Sequence, residues 1–295
     1  SFNLAALFGW PYADLPVLAY GALALIAAER WRESRADGWL LLLGAIGGLA
    51  FSVKYTAAAL LLALGVFIAW HERRAPARLL RGGLILGLVA AIVFLPWAIK
   101  GLALYGNPVY PFIFNGVNWD AGRSAAFSFS GRGLLGMDAA WQLPILPLAA
   151  TIFGLDKTGS FGFTAGPWLL TAFLLLFPTW GWLPTRARSL ARDAGLLLAP
   201  LLVFWAAIAA LSAVGMQTRL VMMALPLFAV LGALGFVGLE AWPRKPIDVR
   251  FIVRAMLVIT LALGALDAVR SLVRDQVVPY LLGLVSANDF MYANS

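Results

Sequence analysis

Cysteine is absent from this 295-residue sequence, and histidine occurs once. The first absence excludes disulfides and thiolate metal sites, and leaves the redox compartment unspecified. Together the two exclude a zinc or haem centre, because one imidazole cannot complete either ligand set. The single histidine, His71, stands beside Glu72, Arg73 and Arg74 and reads as a solvated loop residue. Charge is also scarce: Asp, Glu, Lys and Arg make up 12% of the chain, where a soluble domain carries about 25%. Three motifs are missing as well: a Gly-rich phosphate loop, a Gly-x-Ser-x-Gly elbow and a His-Glu-x-x-His pair. The start at Ser1 shows no charged region followed by a cleavage site, so no signal peptide is expected. With no initiator methionine there, a processed or incomplete chain is expected.

What is abundant is apolar: 62% of residues are hydrophobic and the mean hydropathy is +0.87. A water-soluble core cannot bury so much apolar surface, so the excess must face lipid or other helices within lipid. The fold class expected is all-α, a single polytopic transmembrane bundle over 1–295. Apolar runs near 14–28, 38–53, 55–70, 82–99, 164–183, 195–213, 219–239 and 252–269 give about eight spans. Residues 38–70 form one apolar stretch. As a single helix it would be about 50 Å long, too long for a hydrocarbon core of about 30 Å, so a hairpin turning at Lys54 is expected.

Four basic clusters are consistent with this count. They are Arg30, Arg32 and Arg35; Arg73, Arg74, Arg78 and Arg81; Arg186, Arg188 and Arg192; and Arg244, Lys245, Arg250 and Arg254. These fourteen of the 22 basic residues share one side only if 38–70 crosses twice. The positive-inside rule makes that side cytoplasmic. The net charge of +8 is thereby explained without nucleic acid, which is excluded as a partner.

Residues 100–163 then form a 64-residue loop on the other side. Its Tyr105-Gly-Asn-Pro-Val-Tyr-Pro-Phe112 segment forces turns or extended backbone, and its aromatic residues suit a membrane interface. Residues 134–153 read as a helix lying along that surface, hinged at Pro144, and the tail from Arg270 to Ser295 reads likewise.

Ionisable residues at membrane depth are costly and point to function. Asp14 opens the first span, Lys54 sits at the hairpin tip, Lys100 ends the fourth span and Arg219 begins the seventh. Three cations meeting at one interface can clamp a phosphate or pyrophosphate headgroup. Plainer readings stand beside this one. Lys100 and Arg219 can be interfacial anchors that snorkel. Asp14, with Pro16 in the first turn, can be a helix cap; it can also orient a cation or bind a sugar hydroxyl. Lys54 has small, apolar neighbours and no acid nearby in sequence. Asp120 and Arg123 read as solvated loop charges.

Four segments carry a resemblance: Tyr12-Ala-Asp-Leu-Pro16, Gly48-Leu-Ala-Phe-Ser-Val-Lys-Tyr-Thr56, Gly106-Asn-Pro-Val-Tyr-Pro-Phe112 and Gln217-Thr-Arg-Leu-Val-Met-Met-Ala-Leu-Pro226. In this order, over roughly 10–240, they resemble the bacterial GT-C glycosyltransferases, relatives of the protein O-mannosyltransferases and of lipid A aminoarabinose transferase. The resemblance implies a bacterial inner (plasma) membrane location and a polyprenyl-phosphate-linked sugar as donor substrate. It also implies an acceptor on the outer face and inversion at the anomeric carbon, with a carboxylate as base and cations on the departing phosphate. Lys54, Arg219, Lys100 and Tyr55 are the lipid-phosphate-binding residues it implies, and Asp14 matches an acidic position at a span start. Tyr105, Asn107, Tyr110 and Asp120 carry the loop motif. No metal and no further cofactor is expected. The superfamily's catalytic acid sits in an outer loop before the region matching Tyr12–Pro16, and that loop is expected upstream of Ser1 or lost.

Three functions therefore remain open. The first is a GT-C-like transferase, with membrane lipids and a lipid-linked sugar as partners. The second is a non-catalytic membrane subunit scaffolding other subunits. The third is a transporter of a lipid-linked or anionic solute, although the ionisable residues lie at span ends and not at the midplane.

Overall fold

A computed structural model describes residues 13–111, 117, 119–123, 140–153, 167–211, 217–243, 248–274 and 277–293. Helix accounts for 87% of it, and no strand occurs among the described residues. The principal helices are α1 (Asp14–Ser34), α2 (Asp37–Val53), α3 (Ala58–Glu72), α4 (Pro76–Tyr105), α5 (Leu146–Phe153), α6 (Pro167–Thr179), α7 (Thr185–Leu211), α8 (Leu225–Ala241) and α9 (Val249–Arg274), followed by the short α10 (Val277–Leu281) and α11 (Ala287–Ala293). Where they are described, the apolar runs read from the sequence lie largely on these helices, with 3₁₀ turns at Tyr55–Ala57, Trp180–Trp182 and Thr218–Ala224. Among the described residues, four stretches are long and apolar enough to cross a membrane: Tyr55–Glu72, Pro76–Tyr105, Thr185–Ala210 and Thr218–Ala241. Asp37–Val53 and Phe173–Trp182 are apolar but shorter.

The boundaries follow from local chemistry. α1 ends where Arg35 turns left-handed (φ 55°) and its N–H donates to the Trp31 carbonyl at 2.7 Å. The long apolar stretch does break at Lys54, whose extended backbone (φ −154°, ψ 122°) separates α2 from a 3₁₀ turn, Tyr55–Ala57, that leads into α3. α4 starts on Pro76, pre-set for a first helical turn, and stops at left-handed Gly106 (φ 69°). α2 packs on α4 through Gly44 and Gly48. A Cβ on Gly44 would lie 2.8 Å from Val89 Cβ, and one on Gly48 would lie 2.7 Å from the Ala90 carbonyl. This is small-residue packing that lets two helix backbones approach within lipid. Phe67, Leu64, Leu201, Met223 and Leu227 fill the centre of the bundle.

At the arginine-rich end, ion pairs tie the helices together. Asp193 of α7 faces Arg32 Nε of α1 at 2.9 Å and His71 Nε2 of α3 at 3.0 Å. Glu72, only 4% exposed, accepts from Arg35 at 2.6 Å and faces Arg78 Nε at 3.1 Å. His71 is therefore no solvated loop residue. The helix runs on to Glu72, which turns the imidazole inward onto Phe67, with ring centroids 4.5 Å apart. Several basic residues of the clusters thus balance buried acids as well as lying between apolar runs.

Of the helix expected over 134–153, the described part is broken at Pro144, where the hinge was expected. Ala140–Ile145 is a 3₁₀ turn containing Pro144, and α5 follows. Leu146 and Ala149 are buried in the bundle core, because an apolar helix lowers its free energy by packing against neighbours. Residues 134–139 lie outside the described residues. The tail begins later than expected, since α9 continues to Arg274 before α10 and α11.

Candidate anion-binding cleft

Lys54 is the hub of the end opposite the arginine clusters. Its ammonium donates to the Asp14 carboxylate and, at 2.9 Å, to the Arg219 carbonyl. Three separate segments therefore meet on one side chain: the start of α1, the α2–α3 hairpin tip and the 3₁₀ turn Thr218–Ala224. Asp14 is not the helix cap. Ala13 takes the cap position with no side-chain hydrogen bond, and Asp14 is 2% exposed in the first turn. A buried carboxylate needs a counter-charge more than a helix end needs a cap, and Lys54 supplies it.

The Arg219 guanidinium donates through Nε to Gln217 Oε1 at 2.6 Å. It is the backbone of Arg219 that reaches Lys54. Lys54 and Lys100 line one cleft, and the Arg219 charge lies close enough to act on the Lys54 ammonium.

That cleft has a volume of about 440 Å³ and is lined by Ser52, Val53, Lys54, Tyr55, Trp97, Lys100, Gly101, Tyr105 and Tyr110. Its wall is aromatic. Phe51 packs on Phe94 and Tyr55, with centroids 4.5 and 5.5 Å away, and Trp97 Nε1 donates to Tyr55 Oη at 3.3 Å. Lys100 is exposed and lies 4.5 Å over the Trp97 ring, so its charge rests on an aromatic face while it lines the cleft.

The rim comes from the turn after α4. Tyr105 and Tyr110 stack at 4.5 Å with an interplanar angle of 18°. Asn107 is fully buried, and its Oδ1 accepts from Val109 N–H at 2.9 Å, closing the turn. Gly101 lets this turn lie on the helix, since a Cβ there would sit 2.7 Å from the Asn107 carbonyl. Tyr110 Oη donates to the Val117 carbonyl at 3.0 Å.

Among the expected residues, Lys54, Lys100, Tyr55, Tyr105 and Tyr110 line the cleft; Asp14 and Arg219 support it, and Asn107 builds its rim. Asp120 stands apart and exposed, accepting from Arg123 N–H at 2.7 Å. Ser52, Val53, Trp97 and Gly101 also line the cleft. Trp97 shares the Lys100 face of α4 at an i, i+3 spacing, a relationship legible in the sequence.

Chemically, two ammonium groups against tyrosine hydroxyls and ring faces suit a phosphorylated headgroup. No carboxylate lines the cleft among the described residues, because Asp14 is engaged by Lys54. No group of His, Asp and Glu suited to a metal ion occurs among the described residues.

Residues 2–130 match a family described as a domain of unknown function, DUF8201. No curated protein and no solved structure matches the chain.

Proposed function

We propose that this chain is the membrane portion of a GT-C-like glycosyltransferase that holds a polyprenyl-phosphate-linked sugar in the Lys54–Lys100 cleft. The observation that carries this reading is the pairing of two cations from different segments with an aromatic wall in one cleft at the end of an apolar bundle. In this reading the bundle crosses the bilayer about eight times in the bacterial inner membrane, with the arginine end cytoplasmic and the cleft outside. The acceptor's nucleophilic atom bonds the anomeric carbon as that carbon's bond to the phosphate oxygen breaks; the oxygen keeps the electron pair, and Lys54 and Lys100 hold the charge that develops on it. The acceptor's proton goes to a base that does not line the described cleft.

That last point favours a second reading, a non-catalytic subunit that presents a lipid-linked sugar to a catalytic partner. The specific observation is the Lys54–Asp14 pair, which neutralises the acid nearest the cleft. One experiment separates the two. The purified full-length chain is given a radiolabelled polyprenyl-phosphate sugar, and binding and transfer to lipid acceptors are followed together. Transfer lost in Lys100→Ala supports the enzyme; binding without transfer, lost in the same variant, supports the subunit. Equal binding by wild type and by Lys54→Ala and Lys100→Ala variants would sink both.

A further inference from the structure

The arginine end holds two buried acids that the proposed function does not use. Arg32 of α1 donates through Nη2 to Glu29 Oε2 at 2.9 Å and sets its Nε 2.9 Å from Asp193 Oδ2 of α7. Two nitrogens of one planar guanidinium thus hold the two carboxyls side by side, and Glu29 lies against Asp193. His71 Nε2 of α3 meets the other Asp193 oxygen at 3.0 Å. Asp193 is 5% exposed and the Glu29 side chain 17%. Glu29 Oε1 and Asp193 Oδ2 are both buried, and neither has a hydrogen-bond partner among the described residues.

With both acids ionised, the charges here do not balance. The neighbouring ion pairs are made elsewhere: Glu33 faces Arg30 and Arg186, and Glu72 faces Arg35 and Arg78. Asp37 of α2 pairs with Arg81, and Glu240 of α8 with Arg254. One guanidinium is left to two carboxylates, and a neutral imidazole donates to Asp193 without adding charge. Two acceptors cannot satisfy each other, whereas a proton between them satisfies both and removes the surplus charge.

We infer that Glu29 and Asp193 form a proton-binding site, in which one proton sits on Glu29 Oε1 and is donated to Asp193. Glu29 lies just past the apolar run 14–28, and burial above all lifts its carboxyl above the ordinary value; Arg32 opposes this and Asp193 adds to it. A folded-state value above the unfolded one gives stability that is complete below the ordinary carboxyl range and is lost as pH rises through the folded value. Loss of the proton sets two carboxylates against each other between α1 and α7, so the packing of these helices follows the occupancy of the site.

The test is infrared spectroscopy of the full chain in maltoside detergent at about pH 7, where a carboxyl of ordinary pKa near 4 is ionised. The wild type should show a carboxylic-acid C=O band that moves when glutamate carries an isotope-labelled side-chain carboxyl. The band should persist in His71→Gln and be lost in Glu29→Gln. Thermal unfolding gives a second readout. The wild-type melting temperature should fall as pH rises above about 7, and that fall should be largely lost in Glu29→Gln, whose amide N–H takes the place of the bound proton. The labelled wild type needs no variant to fold. Absence of an acid band, a band that ignores the glutamate label or survives Glu29→Gln, or a melting temperature that follows sodium and not pH would each overturn the site.

Discussion

Lys54 and Asp14, forty positions apart in sequence, form a half-buried ion pair that closes the cleft end of the bundle. Breaking such a pair strands a charge, whereas removing both partners does not. Lys54→Ala should therefore destabilise the protein by roughly 3 kcal/mol, and Asp14→Asn/Lys54→Met by clearly less. Thermal unfolding of the single and double variants in detergent checks this. Additive losses would mean that the two residues act independently.

Lys100 offers the complementary case, because it is exposed and its ammonium rests on Trp97. Lys100→Ala should leave the unfolding temperature within about a degree of wild type, since exposed changes of this kind are worth about 0.5 kcal/mol or less. Binding of a polyprenyl phosphate to the same variant should weaken about tenfold, the loss of one charge-assisted contact. Titration into detergent-solubilised protein measures it, and the weakening should shrink as salt rises.

Gly44 and Gly48 set the approach of α2 to α4. Gly48→Leu should force the helices apart and cost more than about 2 kcal/mol, with Gly48→Ala intermediate, as overpacking of a close contact predicts. A graded fall in melting temperature from Gly through Ala to Leu is expected; a flat series would mean that the helices do not pack so closely.

Asp193 faces Arg32 and His71 from a third helix. Asp193→Ala should destabilise by about 3 kcal/mol, because Arg32 loses a buried partner. His71→Gln should cost less, since Gln still offers a donor to Asp193. Urea unfolding of the two variants in mixed micelles ranks them, and the reverse order would show that the imidazole is the main tie.

How much of this is legible in the sequence depends on the range of the forces involved. The hairpin at Lys54 can be read because bilayer thickness limits helix length locally. The Lys54–Asp14 pair cannot be read, because no periodicity links residues on different helices. The same holds for Asp193, which looks like one more charge in an arginine-rich segment until α7 packs against α3. His71 misleads for a related reason: its charged neighbours suggest solvent, yet the helix phase turns the ring onto Phe67. Of the cleft, the cations and tyrosines are visible as types at span ends, but their sorting into cleft lining, support and rim needs the fold.

At 30 residues, α4 is about 45 Å long, about half as long again as a hydrocarbon core of roughly 30 Å. Its last turns carry Trp97, Lys100 and Tyr105, so the helix acts as a ruler that fixes both the height and the bearing of the cleft. Each residue removed from its middle would lower these side chains by about 1.5 Å and rotate them by about 100°. Two residues removed would aim Lys100 almost directly away from Lys54. Seven would restore its bearing but sink it by about 10 Å.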